Sequence, residues 1–413
     1  MDLNFDKMYI LTVFAMRINR SHPLIAKDTK WFLQLLPMYG IFSIMFALLI
    51  NCIIHYDLKA KDFSSTCRNG CLCVLYFIST LSYYVMLVHQ TTLKTIINTM
   101  NEDYAQALKF KADEQKVVLD YAKKGLYVCR QWLAMSIMGV GLFFVKNVLL
   151  YTYNYYVDDM KLVPLHDMTY PRIIEEKRDD IIVYASLYAL TVYYGVFAAI
   201  MYMSFVPLGP VFMLHCCGQL ELIVMRLENL FIKYTHEEAN EKLKDIIRHL
   251  QNIYGFVKNI EKCFTGFYEL TLKATTITLP IAVYEIIESC HRRELRMEFL
   301  VFIFGAMIIS SSPCYYSHLL MEKGEQVRLA VYCSGWEVVQ SRAARSTLMV
   351  ILVRALQPIA IRTMFRTICL DALTDVRAFE SIVRSFQPYE RDVGIDNASN
   401  DDLYSYCIME IKL

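Results

Sequence analysis

The longest apolar run of this chain, residues 181–220, contains no Asp, Glu, Lys or Arg. A bilayer's hydrocarbon core is filled by roughly 20 apolar helical residues. The run is therefore too long for one crossing and too short for two with a loop between them. Pro207, Gly209 and Pro210 divide it, because proline removes a helical N–H and both residue types punctuate helices. The pattern predicts a spanning helix that leads into a second helix beyond the lipid. That second helix continues through ELIVMRLENLFIKY, where apolar residues recur at helical spacing among charges. A half-apolar helix in water needs a partner face, so it is expected to pack on other protein.

Other apolar runs of spanning length are 31–54, 69–93, 132–157 with Lys146 inside it, 263–287 with Glu269 and Lys273 in its first half, and 299–321 with Pro313. The stretch 94–130 is charged and helix-like, and over 221–262 charge returns at helical spacing, which predicts an amphipathic helix pair outside the lipid. After Met321 no uncharged window reaches the roughly 18 residues that identify a span by hydropathy. Residues 1–30 are polar and of mixed charge, and they predict no signal peptide.

Composition agrees with a membrane protein. The chain is 56% hydrophobic and 20% charged, with a mean hydropathy of +0.32, whereas soluble domains are nearer half apolar and a quarter charged. A net charge of +1 argues against a nucleic-acid partner, which would need a clustered basic surface. The thirteen cysteines fall mostly in apolar runs such as CLCVLYF and HCCGQL, and they read as small core residues without a disulfide framework. Cys67, Cys71 and Cys73 have no His or acid beside them, so no metal is expected there.

Charge also orients the chain. Lys and Arg concentrate before the first span, in the 94–130 loop and in 221–262, while the alternate loops hold few. By the positive-inside rule the N-terminus is expected in the cytoplasm, opposite to a G-protein-coupled receptor. Lys146 reads as a residue that snorkels to the headgroups. Glu269 and Lys273, four residues apart, read as an ion pair on one helix face. His215 with Glu221 reads as structural rather than metal-binding. No constellation of His and acids suggests an enzyme, and no matched pair of broken, charged spans suggests a transporter.

PLGPVFMLHCCGQLELI at 207–223 is similar to the cytoplasmic end of the fourth helix in insect odorant receptors. AVYCSGWEVVQSRAAR at 330–345 resembles the short intracellular helix of that family, and LVRALQPIAIRTMFRTICLDALTDV at 352–376 resembles its moth pheromone-receptor branch. The resemblance covers nearly the whole chain. It implies an all-α membrane protein, a seven-transmembrane helix bundle with an inside N-terminus and a cytoplasmic helical anchor. It also implies a subunit of a ligand-gated, non-selective cation channel, a hetero-tetramer with an odorant co-receptor subunit, in the plasma membrane of a sensory neuron dendrite. No cofactor, metal or G protein is required. A gustatory-type chemoreceptor of the same architecture is the alternative.

A volatile ligand needs a pocket of aromatic and aliphatic side chains with a few hydroxyls. In the outer halves of the spans the candidates are Tyr76, Phe77 and Thr80, then Phe143, Phe144 and Asn147, then Tyr184, Tyr188 and Thr191, and finally Phe302 and Met307. Each competes with a role in packing or interfacial anchoring. His215, Gln219, Leu230, Tyr332 and Trp336 are the candidates for the subunit interface that the resemblance implies.

The expected organisation is a cytoplasmic N-terminus (1–30), helices one to four (31–220), a cytoplasmic helical anchor (221–262), helices five and six (263–321), a cytoplasmic helical segment (322–366), a seventh helix (367–388) and a polar tail (389–413). The seventh helix is atypical. Resemblance stops after Val376, and Arg377, Glu380 and Arg384 follow where lipid or pore is expected. Their spacing puts all three on one helical face, and each charge costs roughly 2.5–3.5 kcal/mol at the bilayer centre. A compromised pore helix in a form that binds co-receptor but conducts poorly is the expectation, and a polar stripe facing a pore, or a non-conducting variant, are the alternatives.

Overall fold

The computed structural model describes residues 4–156, 162–166, 168–228, 230–233, 236–291, 297–336, 342–362 and 368. Among them the regular structure is helical. Short helices α1 (Phe5–Met8) and α2 (Ile10–Ile18) precede α3 (Thr29–Cys52), which runs through a π-helical turn (Ile53–Asp57) into α4 (Leu58–Ala60). Then come α5 (Phe63–Val88), α6 (Gln90–Ala107), α7 (Ala112–Tyr156), α8 (Arg172–Glu175) and α9 (Ile181–Phe205). The remainder are α10 (Leu208–Glu228), α11 (Leu230–Lys233), α12 (His236–His291), α13 (Met297–Tyr332) and α14 (Arg342–Ala355). The expected seventh helix, with Arg377, Glu380 and Arg384, lies outside the described residues.

Six of these helical segments are long and apolar enough to cross a membrane. Three of the crossing helices begin directly after an acid that caps their first turn. Asp28 accepts from Trp31 N (2.8 Å), Asp62 from Ser65 N (3.1 Å) and Asp180 from Ile182 N (3.1 Å). Each carboxylate satisfies a helix N–H that would otherwise be orphaned at the edge of the lipid.

Helices α7, α12 and α13 have 45, 56 and 36 residues. At 1.5 Å per residue they are about 68, 84 and 54 Å long, well beyond a hydrocarbon core of about 30 Å. Consecutive crossings are antiparallel, so the start of α7, the end of α9, the start of α12 and the end of α13 project from the same side. Within that protruding half lies α10, packed against α7, α12 and α13. Every residue from Leu208 to Leu220 is buried.

Where the sequence turns from apolar to charged, the helices do not end. The 221–262 stretch is not a separate helical pair, because α12 runs unbroken from its charged N-terminal part into the fifth crossing. The partner face required by the helix beyond Pro207 comes from the same chain. Pro210 sits in the first turn of α10, where its missing N–H costs no intrahelical bond. Gly209 and Gly218 let neighbours approach closely. A Cβ at Gly209 would overlap the Tyr268 hydroxyl of α12, and one at Gly218 would lie 3.1 Å from the Tyr121 side chain of α7.

Candidate ligand-binding site

In the half of the bundle remote from α10, five helices stand apart around a cavity of about 260 Å³. Its wall runs from Arg68 to Ile78 on α5, from Phe144 back to Trp132 on α7, from Thr191 to Tyr202 on α9, and from Phe299 to Ile309 on α13. Ala274, Thr275 and Thr278 of α12 complete the side, and Leu165 with His166 covers one end. At the helical rise each of these stretches spans about 15 Å or slightly more, so the space is elongated along the bundle axis. Taking the ~30 Å³ that a water occupies in the liquid as a unit, it holds roughly nine non-hydrogen atoms.

The cavity exists because small residues face it. Gly139 on α7, Gly195 on α9 and Gly305 on α13 all line it, and a Cβ built at any of them meets nothing within 4 Å. Ala198, Ala199, Ala274 and Ala306 widen the same faces. Several hydroxyls in the wall already donate to backbone carbonyls. Thr191 donates to Leu187 (3.0 Å), Thr275 to Thr271 (2.8 Å), Thr278 to Ala274 (2.8 Å) and Tyr194 to Leu72 (2.6 Å). These oxygens therefore offer a ligand lone pairs rather than protons.

The residues singled out from sequence divide by helical phase. Phe143, Phe144, Thr191 and Phe302 stand in the wall. Tyr76 packs instead between α5 and α3, stacked on Phe46 (centroids 4.1 Å apart) and hydrogen-bonded to Ser43 (2.9 Å). Thr80 accepts from Tyr39 and donates to Tyr76 O. Phe77 and Met307 are 59% and 53% exposed on the outside of the bundle. Asn147 donates to Val163 O and Pro164 O (both 3.2 Å), and Tyr184 donates to Val163 O (2.7 Å), so both hold the covering segment. Tyr188 lies beside Tyr184, ring centroids 6.0 Å apart.

Arg68, His166, Trp132, Tyr194, Tyr202 and the contribution of α12 were missed. The legible signal was the face Arg68, Leu72, Leu75 and Ile78 at spacings of three and four, opposite the glycines and alanines of the other helices. Thr191, Tyr194, Gly195 and Ala198 repeat it on α9.

The residues proposed for a subunit interface are placed mainly inside their own chain. His215 bonds Asp103 (2.8 Å), Gln219 accepts from His249 (2.9 Å) and Leu230 is 1% exposed. Trp336 is half-buried against the core, and Tyr332 is 64% exposed. Glu269 and Lys273 form an ion pair at 2.8 Å.

Residues 62–379 match the family model described as 7tm Odorant receptor. Odorant receptor 23a of Drosophila melanogaster is 23% identical over 137 residues, 33% of this chain. That match spans 36% of the relative's length. The insect olfactory receptor OR5 from Machilis hrabei has the same fold, with a TM-score of 0.69 and 14% identity over 93% of this chain and 99% of that one. Its structure in complex with eugenol matches with a TM-score of 0.68, 14% identity, and 92% and 100% coverage.

Proposed function

This chain belongs to the 7tm Odorant receptor family, and from that premise we propose that it is the ligand-binding subunit of a heteromeric cation channel gated by a volatile, mainly apolar molecule. The chain is a multi-pass membrane receptor of the odorant receptor family, by the family match and the six helices able to cross a membrane. The observation that carries the proposal is the glycine-framed cavity of about 260 Å³ among α5, α7, α9, α12 and α13. It is lined mainly by apolar and aromatic side chains with a few polar groups, as pockets for such ligands are. The eugenol complex of OR5 from Machilis hrabei supports a small organic ligand, and pheromone reception is the narrower form of the same reading.

In this reading the partner is a co-receptor subunit in a hetero-tetramer, the N-terminus and the protruding half face the cytoplasm, and the site of action is the dendritic plasma membrane of a sensory neuron. The Lys and Arg asymmetry supports the orientation. Assembly uses the outer surface of the protruding half, where Tyr332 is exposed. The charges Arg377, Glu380 and Arg384 support a form that binds ligand and co-receptor but conducts weakly.

The test is current recorded from cells expressing this chain with and without the co-receptor while odorants are applied. A response that needs both subunits is expected. Ligand binding to purified chain with no current in either case would remove the channel reading and keep the receptor one. Tags at residue 1 and near Glu238 should be stained only in permeabilised cells, and staining of intact cells overturns the orientation.

A further inference from the structure

Resting on the ligand-binding reading above, we propose that the end of the cavity nearest α10 is a hydrogen-bond donor site, where Trp132, Ser136 and Tyr202 select an apolar molecule carrying one carbonyl oxygen. Trp132 is the innermost wall residue of α7, and Tyr202 that of α9. Ser136 lines the wall one turn further along α7. It shares a face with Trp132, since residues four apart on a helix are neighbours, about 5–6 Å between Cβ atoms. Helices α7 and α9 are consecutive, antiparallel crossings packed on each other. Beyond this end of the cavity, Gly218 of α10 meets the Tyr121 side chain of α7. Counted from that contact at 1.5 Å per residue, Ser136 and Tyr202 both lie about 23 Å away. The indole N–H and the two hydroxyls are thereby brought to one end of the space.

These three groups have protons left to give. Thr191, Thr275 and Thr278 spend theirs on carbonyls of their own helices, and Tyr194 spends its proton on Leu72 O. Arg68 and His166, at the other end, are already engaged within the chain. Ser136 makes no such bond back to its own helix, and among the described residues Trp132 Nε1 and Tyr202 Oη have no hydrogen-bond partner. Trp132 is 7% exposed and lines the cavity, so an acceptor for its N–H has to come from the cavity itself. An indole nitrogen can only donate. The oxygen of a ketone, aldehyde or ester has two lone pairs and brings no proton, so it can take the indole N–H and one hydroxyl together. A hydrocarbon of the same shape leaves those buried donors unmet, and a site built to bond an oxygen rejects the analogue that lacks it.

The probe is heptan-2-one, whose size suits a space for roughly nine non-hydrogen atoms. Its control is 2-methylhept-1-ene, in which a methylene group replaces the carbonyl oxygen. With the full chain in detergent, the ketone should bind at least about tenfold more tightly than the alkene, as the loss of a buried hydrogen bond predicts. Equal affinities overturn the donor site while the receptor reading stands, and this arm needs no substitution. Trp132→Phe keeps an aromatic ring and removes the N–H, and Tyr202→Phe removes only the hydroxyl. Each should cut the ketone's advantage about threefold or more, and with Ser136→Ala added to both the two probes should bind alike. An advantage that survives the triple variant overturns the assignment to these residues. Isotope-edited infrared spectroscopy supplies a readout that packing alone does not move. The carbonyl stretch of the bound ketone should lie below its value in hexane and rise again in Trp132→Phe. A stretch at the hexane value in the unsubstituted chain overturns the hydrogen bond. No saturable binding of either probe removes the ligand-binding reading of the cavity as well.

Discussion

The two halves of this bundle use glycine in opposite ways. In the protruding half, Gly209 and Gly218 are where helices touch, against Tyr268 and Tyr121. In the other half, Gly139, Gly195 and Gly305 are where helices stay apart, each facing open space. In the first case a missing side chain brings backbones together, and in the second it leaves room for a guest. Over its first part, Leu208 to Leu220, α10 is packed on every side, as an uncharged helical stretch must be. Around the cavity the helices are held apart by large residues off the cavity face, such as the stacked Phe42 and Tyr76.

The largest effect should come from closing the first kind of contact. Gly209→Val forces α10 off Tyr268, an overpacking that costs about 1–3 kcal/mol. It should abolish a monodisperse peak in size-exclusion chromatography of detergent-solubilised protein. Normal elution and melting would show that Tyr268 can swing away. Filling the second kind should do the reverse. Gly195→Val and Gly305→Leu are expected to keep or raise the melting temperature and to weaken ligand responses about tenfold or more. Paired measurement of melting and dose–response separates the two outcomes, and an unchanged dose–response would mean that the ligand sits elsewhere.

A smaller effect tests the polar seams of the protruding half. Arg226 makes two hydrogen bonds to Glu114 (3.0 and 3.3 Å), and its guanidinium lies over Phe110 at 4.8 Å. Arg226→Met should cost about 1–2 kcal/mol, and adding Glu114→Gln should recover part of it by removing the stranded charge. A thermal-melt double-mutant cycle reads both.

The smallest is a pH dependence where the N-terminal segment meets both halves. Asn19 donates to Ser204 at the end of α9 (2.7 Å), and Tyr83 donates to Asn19 O (3.1 Å). Nearby His22 is buried, and its Nδ1 accepts from Leu24 N (3.3 Å). Burial lowers its pKa from 6.5, with Arg17 also lowering it and Asp6 opposing. Unfolded, the imidazole binds its proton more readily, so stability is complete above about pH 6.5. It is lost as pH falls from there through the folded value. His22→Gln should flatten that part of the melting-temperature profile, and an unchanged slope would assign it to another group.

The apolar runs and the break at Pro207 determined by themselves that the chain is a helical membrane protein with a second helix beyond the fourth crossing. Both depend only on local physics: the length needed to cross lipid and the N–H that proline lacks. Sequence also carried the likeness at 207–223, 330–345 and 352–376 to the family whose model the chain matches. Which aromatic faces the cavity was decided by tertiary structure. Tyr76 and Phe77 are as apolar and as well spaced as Leu75 and Ile78, and only the rotation of α5 about its axis sends them to α3 and to the outside. That rotation is set by partners distant in sequence, including α9 and α12. The same holds for His166, which hydropathy places in a polar loop and which a relay through Asn69 to Asp57 brings to the end of the cavity. A periodic pattern specifies that a helix has faces, but the packing of the whole bundle decides which face meets the space left by three glycines.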